Sequence, residues 1–175
     1  MNACCPTNVL SPDGMAVAAS LPDGFALRPQ ELEDKPFLRV LFGEGRWEEM
    51  MRTPWPEALK DAFLDDQFRL QFAHYARVFP QADFLILERN GKPAGRLAVS
   101  FEAERAHVID IAVRDRLQDR GIGSALLRGV IAAAGRRPVT LVVLVGSRAI
   151  PFYQRLGFED CGPAEGQRRA MRRMP

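Results

Sequence analysis

His107-Val-Ile-Asp-Ile-Ala-Val113 leads into Arg114-Asp-Arg-Leu-Gln-Asp-Arg-Gly-Ile-Gly-Ser124, and an apolar stripe follows at Leu126, Leu127, Val130, Ile131 and Ala134. The first segment is short and rich in β-branched residues, which predicts a strand. The stripe recurs at helical spacing, so a helix is expected over 121–134, with Gly135 as its C-cap and Pro138 as the stop. Val139 to Val145 is nearly all apolar, the pattern of a strand covered on both faces. Strand, helix and buried strand in that order predict a parallel crossover unit.

Upstream, Phe84–Leu87 and Ala94–Phe101 read as strands joined by an Asn90-Gly91 turn. The polar Glu102–Arg105 segment then turns the chain into 107–113. These three strands are expected to form an antiparallel meander, which makes the sheet mixed and the fold class α/β. Phe25–Arg28 is a further short strand. Glu33-Asp34 before Pro36 marks a helix start, with Phe37, Leu38, Leu41 and Phe42 in register until Gly43 and Gly45. Pro54 and Pro56 open another helix that runs to Pro80. Its apolar stripe, Ala58, Leu59, Ala62, Phe63, Phe68, Phe72, Tyr75 and Phe79, is expected to pack into the core. Downstream, Ser147 is a candidate N-cap for a helix to Leu156, and closing strands follow Phe158. Residues 1–21 lack periodicity and read as a loose tail, leaving 22–175 as one domain.

Composition narrows the function classes. A chain of 175 residues suits one buried core. No apolar run approaches the roughly 20 residues that span a bilayer, so no membrane association is expected. The N-terminal stretch has no basic n-region, which argues against a signal peptide. Adjacent Cys4 and Cys5 with a distant Cys161 make no disulfide framework, and a cytoplasmic location is expected. His74 and His107 stand alone, so no metal site is expected. Charge is divided along the chain: ten acids against five bases from Glu31 to Asp66, and twelve arginines against five acids from Arg114 to the end. The basic half suits a polyanion. Its arginines are scattered without interleaved aromatics, which disfavours nucleic acid.

Gly121 and Gly123 stand where the strand-to-helix loop becomes helix. Glycines there leave room for a ligand against the main chain. The first-turn amides have no intrahelical acceptor and carry the positive end of the helix dipole. That combination suits an anion such as a diphosphate, with Arg120 and Arg128 able to add charge. A tight turn needing glycine for geometry alone is the plainer alternative.

The run IAVRDRLQDRGIGSALL, Ile111–Leu127, resembles the cofactor-binding motif of the GNAT superfamily of N-acetyltransferases, with Gln118, Gly121 and Gly123 at its signature positions. AIPFYQRLGFE, Ala149–Glu159, is similar to that family's second marker. With the element order, the resemblance covers about 150 of the 175 residues. It implies a twisted mixed sheet flanked by helices and splayed open between the 107–113 and 139–145 strands. Acetyl-coenzyme A would lie in the gap, its pantetheine arm along Ile111, Ala112 and Val113. Its pyrophosphate would sit on Gln118, Asp119, Arg120, Gly121, Ile122, Gly123 and Ser124. Phe152 is counted with the cofactor contacts, as is Gly146, where the family often has an asparagine.

The resemblance also implies acetyl transfer to a primary amine, small or peptidic, by direct attack in a ternary complex. Tyr153 matches the family's general acid. His107 matches a position that can hold a base, with Glu102, Glu104 and Asp110 as alternatives; strict strand alternation puts Asp110 on the face opposite His107. The segment 31–80 shapes the acceptor groove in such proteins. Its acids, with Trp47 and Trp55, would suit a cationic amine. The competing reading is an inactive acyl-coenzyme A sensor or interaction module. Edge strands of such a sheet can also pair into a homodimer.

Overall fold

The computed structural model describes residues 10–175. A seven-stranded sheet runs through it, built from β1 (Phe25–Pro29), β2 (Asp83–Arg89), β3 (Lys92–Phe101), β4 (Ala106–Val113), β5 (Val139–Leu144), β6 (Glu159–Ala164) and β7 (Arg168–Arg173). Its spatial order is β1-β2-β3-β4-β5-β7-β6. Among the described residues only the β4–β5 pair is parallel; every other neighbour is antiparallel. The meander turns at Asn90 and Gly91, both with positive φ, and this is the two-residue geometry expected of Asn-Gly.

Helices cover both faces. On one side lie α1 (Pro12–Ala18) and α4 (Ile122–Ala134), which bury Val17, Leu126, Leu127 and Val130 against Leu97, Val99 and Val108 of the sheet. The short helix α5 (Ile150–Arg155) supplies Phe152 and Tyr153 to the edge of this cluster. On the other side are α2 (Lys35–Met51) and α3 (Glu57–Val78), whose buried Leu38, Leu41 and Leu64 belong to a separate layer. No helix among the described residues is long and apolar enough to cross a membrane.

Three expectations need correction. First, the segment read as a loose tail contains a packed helix from Pro12. Ser11 caps α1 by accepting a hydrogen bond from the Gly14 amide at 2.9 Å, and Val17 is fully buried. Gly129 of α4 makes this possible, because a Cβ there would lie 3.1 Å from Val17 Cγ1. Seven residues carry too little periodicity for the sequence to betray them. Residues 1–9 lie outside the described part.

Second, α2 does not stop at Gly43 or Gly45 but continues to Met51. Glycine costs a helix interior about 1 kcal/mol relative to alanine. Burial of Leu38, Leu41 and Met50, together with Arg39 pairing with Asp65 of α3, outweighs that cost. Third, the inward face of α3 is Phe63, Leu64, Gln67, Phe68, Gln71, Phe72 and Tyr75, whereas Ala58, Leu59 and Ala62 are exposed. Its aromatics do not join the main core.

Replacing Val17 with alanine is expected to cost about 1.5–3 kcal/mol, the value of a fully buried valine side chain. Chemical denaturation measures this, and an unpacked tail would show no change.

Candidate active site

β4 and β5 share only three register pairs: Ala106 with Val139, His107 with Thr140 and Val108 with Leu141. Beyond Val108 both strands continue, but not as partners. β5 keeps all its bonds to β7 on its other side, so the sheet opens as a V. The main chain of β4 from Ile109 to Val113 therefore borders a gap.

A cavity of about 510 Å³ occupies this opening. Eleven of the fourteen residues expected at the site line it: Ile111, Ala112, Val113, Gln118, Asp119, Gly121, Ile122, Gly123, Ser124, Phe152 and Tyr153. Arg120 and Gly146 are exposed and absent from the lining, and Gly146 forms a turn with φ of 75°. The third outlier, His107, lies at the closed end of the V.

The loop at the cavity mouth is shaped to expose amides. Asp119 and Gly121 adopt φ of 57° and 77°, a left-handed geometry that glycine adopts freely. Gln118 donates from Nε2 to Val113 O at 3.1 Å and to Asp115 Oδ1 at 2.8 Å, anchoring the loop to the strand end. The Ala125 amide closes the first turn of α4 on Gly121 O at 2.9 Å. The amides before it have no intrahelical acceptor and point their dipoles at the opening.

Tyr153 reaches the same space from α5. Its ring packs against Phe152 and Phe158 at 5.3 and 5.9 Å between centroids. Burial pushes its pKa up to about 12, and the charge of Asp110 adds to the effect. The phenol is therefore protonated throughout the neutral range.

Asp110 owes its position to an irregularity in β4. Val108 pairs with Val99 and Asp110 with Ala98, leaving Ile109 as an extra residue without a partner on β3. This bulge resets the alternation. His107, Asp110 and Ala112 now share the face toward α2 and α3, which corrects the expectation that His107 and Asp110 point oppositely. Burial raises the Asp110 carboxyl above its ordinary value, opposed by Arg96 at 3.2 Å and by the Ile111 amide.

His107 is held away from the opening. Its Nδ1 lies 2.9 Å from Thr140 Oγ1, and its ring stacks on Phe79 at 5.7 Å. It lines neither this cavity nor the two beside it. Of the other carboxylates considered, Glu102 pairs with Arg105 in the β3–β4 turn and Glu104 is exposed. Neither borders the V.

A second cavity of about 210 Å³ adjoins the first, sharing Leu41, Gly45, Ile111 and Ala112 with it. Asp110, Arg96 and Arg46 are its charged residues. The acids of 31–66 do not form the expected acidic groove. Glu44 pairs with Arg114 and Glu48 with Arg148, each at 2.7 Å, while Asp61 and Asp65 face Arg39 and Asp66 faces Arg69. Trp47 is 58% exposed and Trp55 packs edge-on against Phe63; neither borders a cavity.

Comparison with known proteins gives this geometry a lineage. Residues 46–158 match the family described as "Acetyltransferase (GNAT) family". The chain belongs to the GNAT family. A curated relative, an uncharacterized N-acetyltransferase of Methanocaldococcus jannaschii, is 38% identical over 102 residues. That match covers 52% of this chain and 45% of the relative, so the chain spans about half the relative's length. Among solved structures, an acetyltransferase from Thermus thermophilus superposes with a TM-score of 0.66 at 24% identity, covering 86% of this chain and 97% of that one. The PaiA N-acetyltransferase of Thermoplasma acidophilum, solved with coenzyme A, gives 0.64 at 16% identity, covering 86% and 99%. At these identities the two structures establish a shared GNAT fold.

Within the GNAT fold, sequence reasoning missed Arg96 and Arg46, which line the second cavity. Arg96 was detectable in principle, since an arginine amid the apolar run Ala94–Phe101 is seldom buried without a task. The position of Arg46 depends on how α2 and α3 pack, and no local pattern reveals that.

Burial lowers the His107 pKa below its ordinary 6.5, Arg105 adds to this and Glu102 opposes it. The unfolded chain takes up a proton near 6.5 and the folded chain only at lower pH. The neutral-histidine contribution to stability is therefore complete above about 6.5 and is lost as pH falls through the folded value. Denaturation of the wild type and His107→Gln at a series of pH values tests this. The stability gap between them is expected to be widest near about pH 7.5 and to narrow toward about pH 5.

Proposed function

We propose that this chain transfers an acetyl group from acetyl-coenzyme A to an amine, by direct attack within a ternary complex. The observation that carries the proposal is the unpaired stretch of β4 running beside the exposed amides of α4, with Tyr153 in the same cavity. The residues fit the cosubstrate. Ile111 to Val113 offer main-chain groups to an extended arm in the manner of an added strand. The loop from Gln118 to Ser124 offers amides to a diphosphate. Coenzyme A bound to the PaiA protein is consistent with this assignment.

The chemistry then falls to two side chains. Asp110, whose ionised form is disfavoured by burial, is a stronger base than an exposed carboxylate. It takes a proton from the acceptor nitrogen as the nitrogen lone pair attacks the thioester carbonyl carbon. A main-chain amide at the bulge polarises that carbonyl. As the new C–N bond forms and the C–S bond breaks, Tyr153 gives its proton to the departing sulfur. The products are an amide and the free thiol. Asp110 then returns its proton to the Tyr153 phenolate, restoring both groups. Asp110 replaces His107 as the proposed base, because His107 is engaged with Thr140 and Phe79 outside the gap.

Incubation with acetyl-coenzyme A and a panel of amines, following free thiol, tests the activity. Thiol at background while coenzyme A binds would leave an acyl-coenzyme A sensor. Asp110→Asn and Tyr153→Phe are each expected to lower kcat by roughly 10²–10⁴-fold, the usual worth of general acid–base catalysis, with little change in coenzyme A affinity. Gly121→Glu places a carboxylate at the phosphate loop and should weaken coenzyme A binding by about tenfold or more, equivalent to about 1.4 kcal/mol. Calorimetric titration measures it, and unchanged affinity would remove the loop from the site.

A further inference from the structure

The second cavity, on the acceptor side of Asp110, is electropositive, contrary to what a cationic amine would need. Arg96 is 3% exposed and lies in the middle of β3. Among the described residues its guanidinium has one ion partner, Asp110 at 3.2 Å, and it sits against the rings of Tyr75 and Phe84 at 5.5 and 5.7 Å. Its Nε is buried with no hydrogen-bond partner. A buried charged donor left unpaired is costly, and natural proteins rarely retain one without a compensating ligand.

Arg46 lines the same cavity from α2. It lies over the Phe42 ring at 4.9 Å, and its nearest acid is Glu49 at 4.0 Å, too long for a good hydrogen bond. The space continues past Arg46 into a third cavity of about 500 Å³, where Arg77 and His74 are the further titratable residues. Asp110 is the one acid among the described residues that borders either cavity. With one carboxylate against two arginines in the inner cavity, a net positive charge awaits whatever enters.

We infer that the acceptor is a small amine that carries a carboxylate close to its nitrogen, the carboxylate held by Arg46 and Arg96 and the nitrogen presented to Asp110. This rests on the acetyl-transfer reading above. Guanidinium forks match a carboxylate in two parallel hydrogen bonds, and Arg96 keeps donors beyond the one that reaches Asp110. The same positive field disfavours an ammonium and favours a free amine, which is the form that attacks. Leu38, Phe42 and Phe68 furnish the remaining wall, so an apolar side chain on the acceptor fits better than a charged one. The inner cavity's volume suits a single amino-acid-sized head group.

Matched triads of amines separate this from the alternatives: leucine, leucinamide and isopentylamine, then phenylalanine, phenylalaninamide and phenethylamine. Each is assayed with acetyl-coenzyme A and titrated calorimetrically into the protein saturated with coenzyme A. The acid of at least one triad is expected to exceed its amide and its decarboxylated analogue by tenfold or more in kcat/KM and in affinity. Arg46→Gln, on the α2 surface, should shrink that advantage at least tenfold. Arg96→Gln should do the same, and its denaturation curve separates lost recognition from lost folding. The inference is overturned if amides or plain amines equal the acids, if no acid binds, or if Arg46→Gln leaves the preference intact. Turnover of plain amines with no acid preference would overturn the inference while sustaining acetyl transfer. Failure to bind coenzyme A at all would remove both.

Discussion

A single extra residue in β4, followed by the loss of its partner strand, organises the molecule. Up to Val108 the strand is bonded on both edges and its alternation feeds the core. At Ile109 the bulge inserts an unpaired residue, and from there one edge of the strand has no neighbour. The free edge provides main-chain donors and acceptors in a place where water is partly excluded. The bulge also turns Asp110 to the face where α2 and α3 enclose the acceptor side. Pairing β4 fully with β5 would satisfy more backbone groups, yet it would close the cavity. The sheet gives up those hydrogen bonds where the cavity lies.

Around that opening, one helix terminus and two faces of the sheet divide the labour. The start of α4 presents amides, and its anchoring is indirect: Gln118 ties the loop to Val113, and α1 holds the far side of the helix through Val17 against Gly129. The acceptor side draws on longer-range contacts. Arg96 comes from β3, Tyr75 and Phe68 from α3, Arg46 from α2. Tyr75 reflects their meeting. Burial raises its pKa to about 12, Asp110 adds to this, and Arg96, Arg168 and Arg46 pull the other way.

How much of this could be read from the chain depends on the range of the interaction. The loop from Gln118 to Ser124 and the helix behind it were legible, because a glycine pair at a strand-to-helix junction and a stripe at i, i+4 are local statements. So was the meander, through Asn90-Gly91 and period-two strands. Asp110 was given the wrong face for a definite reason: counting alternation along β4 presumes a regular strand, and the bulge at Ile109 is set by pairing with β3. The acids of α2 and α3 misled in another way. Charge composition reports what a segment carries, whereas their pairing with Arg39, Arg114 and Arg148 is decided by how α2 packs on α3 and across the V. Short α1 escaped notice because its stability derives from α4 and not from its own pattern.

Helix α2 is fastened across both sides of the V. Glu44 bridges to Arg114 and accepts from the Asp115 amide at 3.2 Å on the β4 side, while Glu48 reaches Arg148 just after β5. These are a half-buried clasp and a well-hydrated one, so they differ in their response to electrolyte: ions screen the outer pair almost completely and the inner pair far less. The outer tie of α2 is thus the first to weaken as ionic strength climbs, while the Glu44 clasp and the buried Met50 on either side of it keep the helix seated.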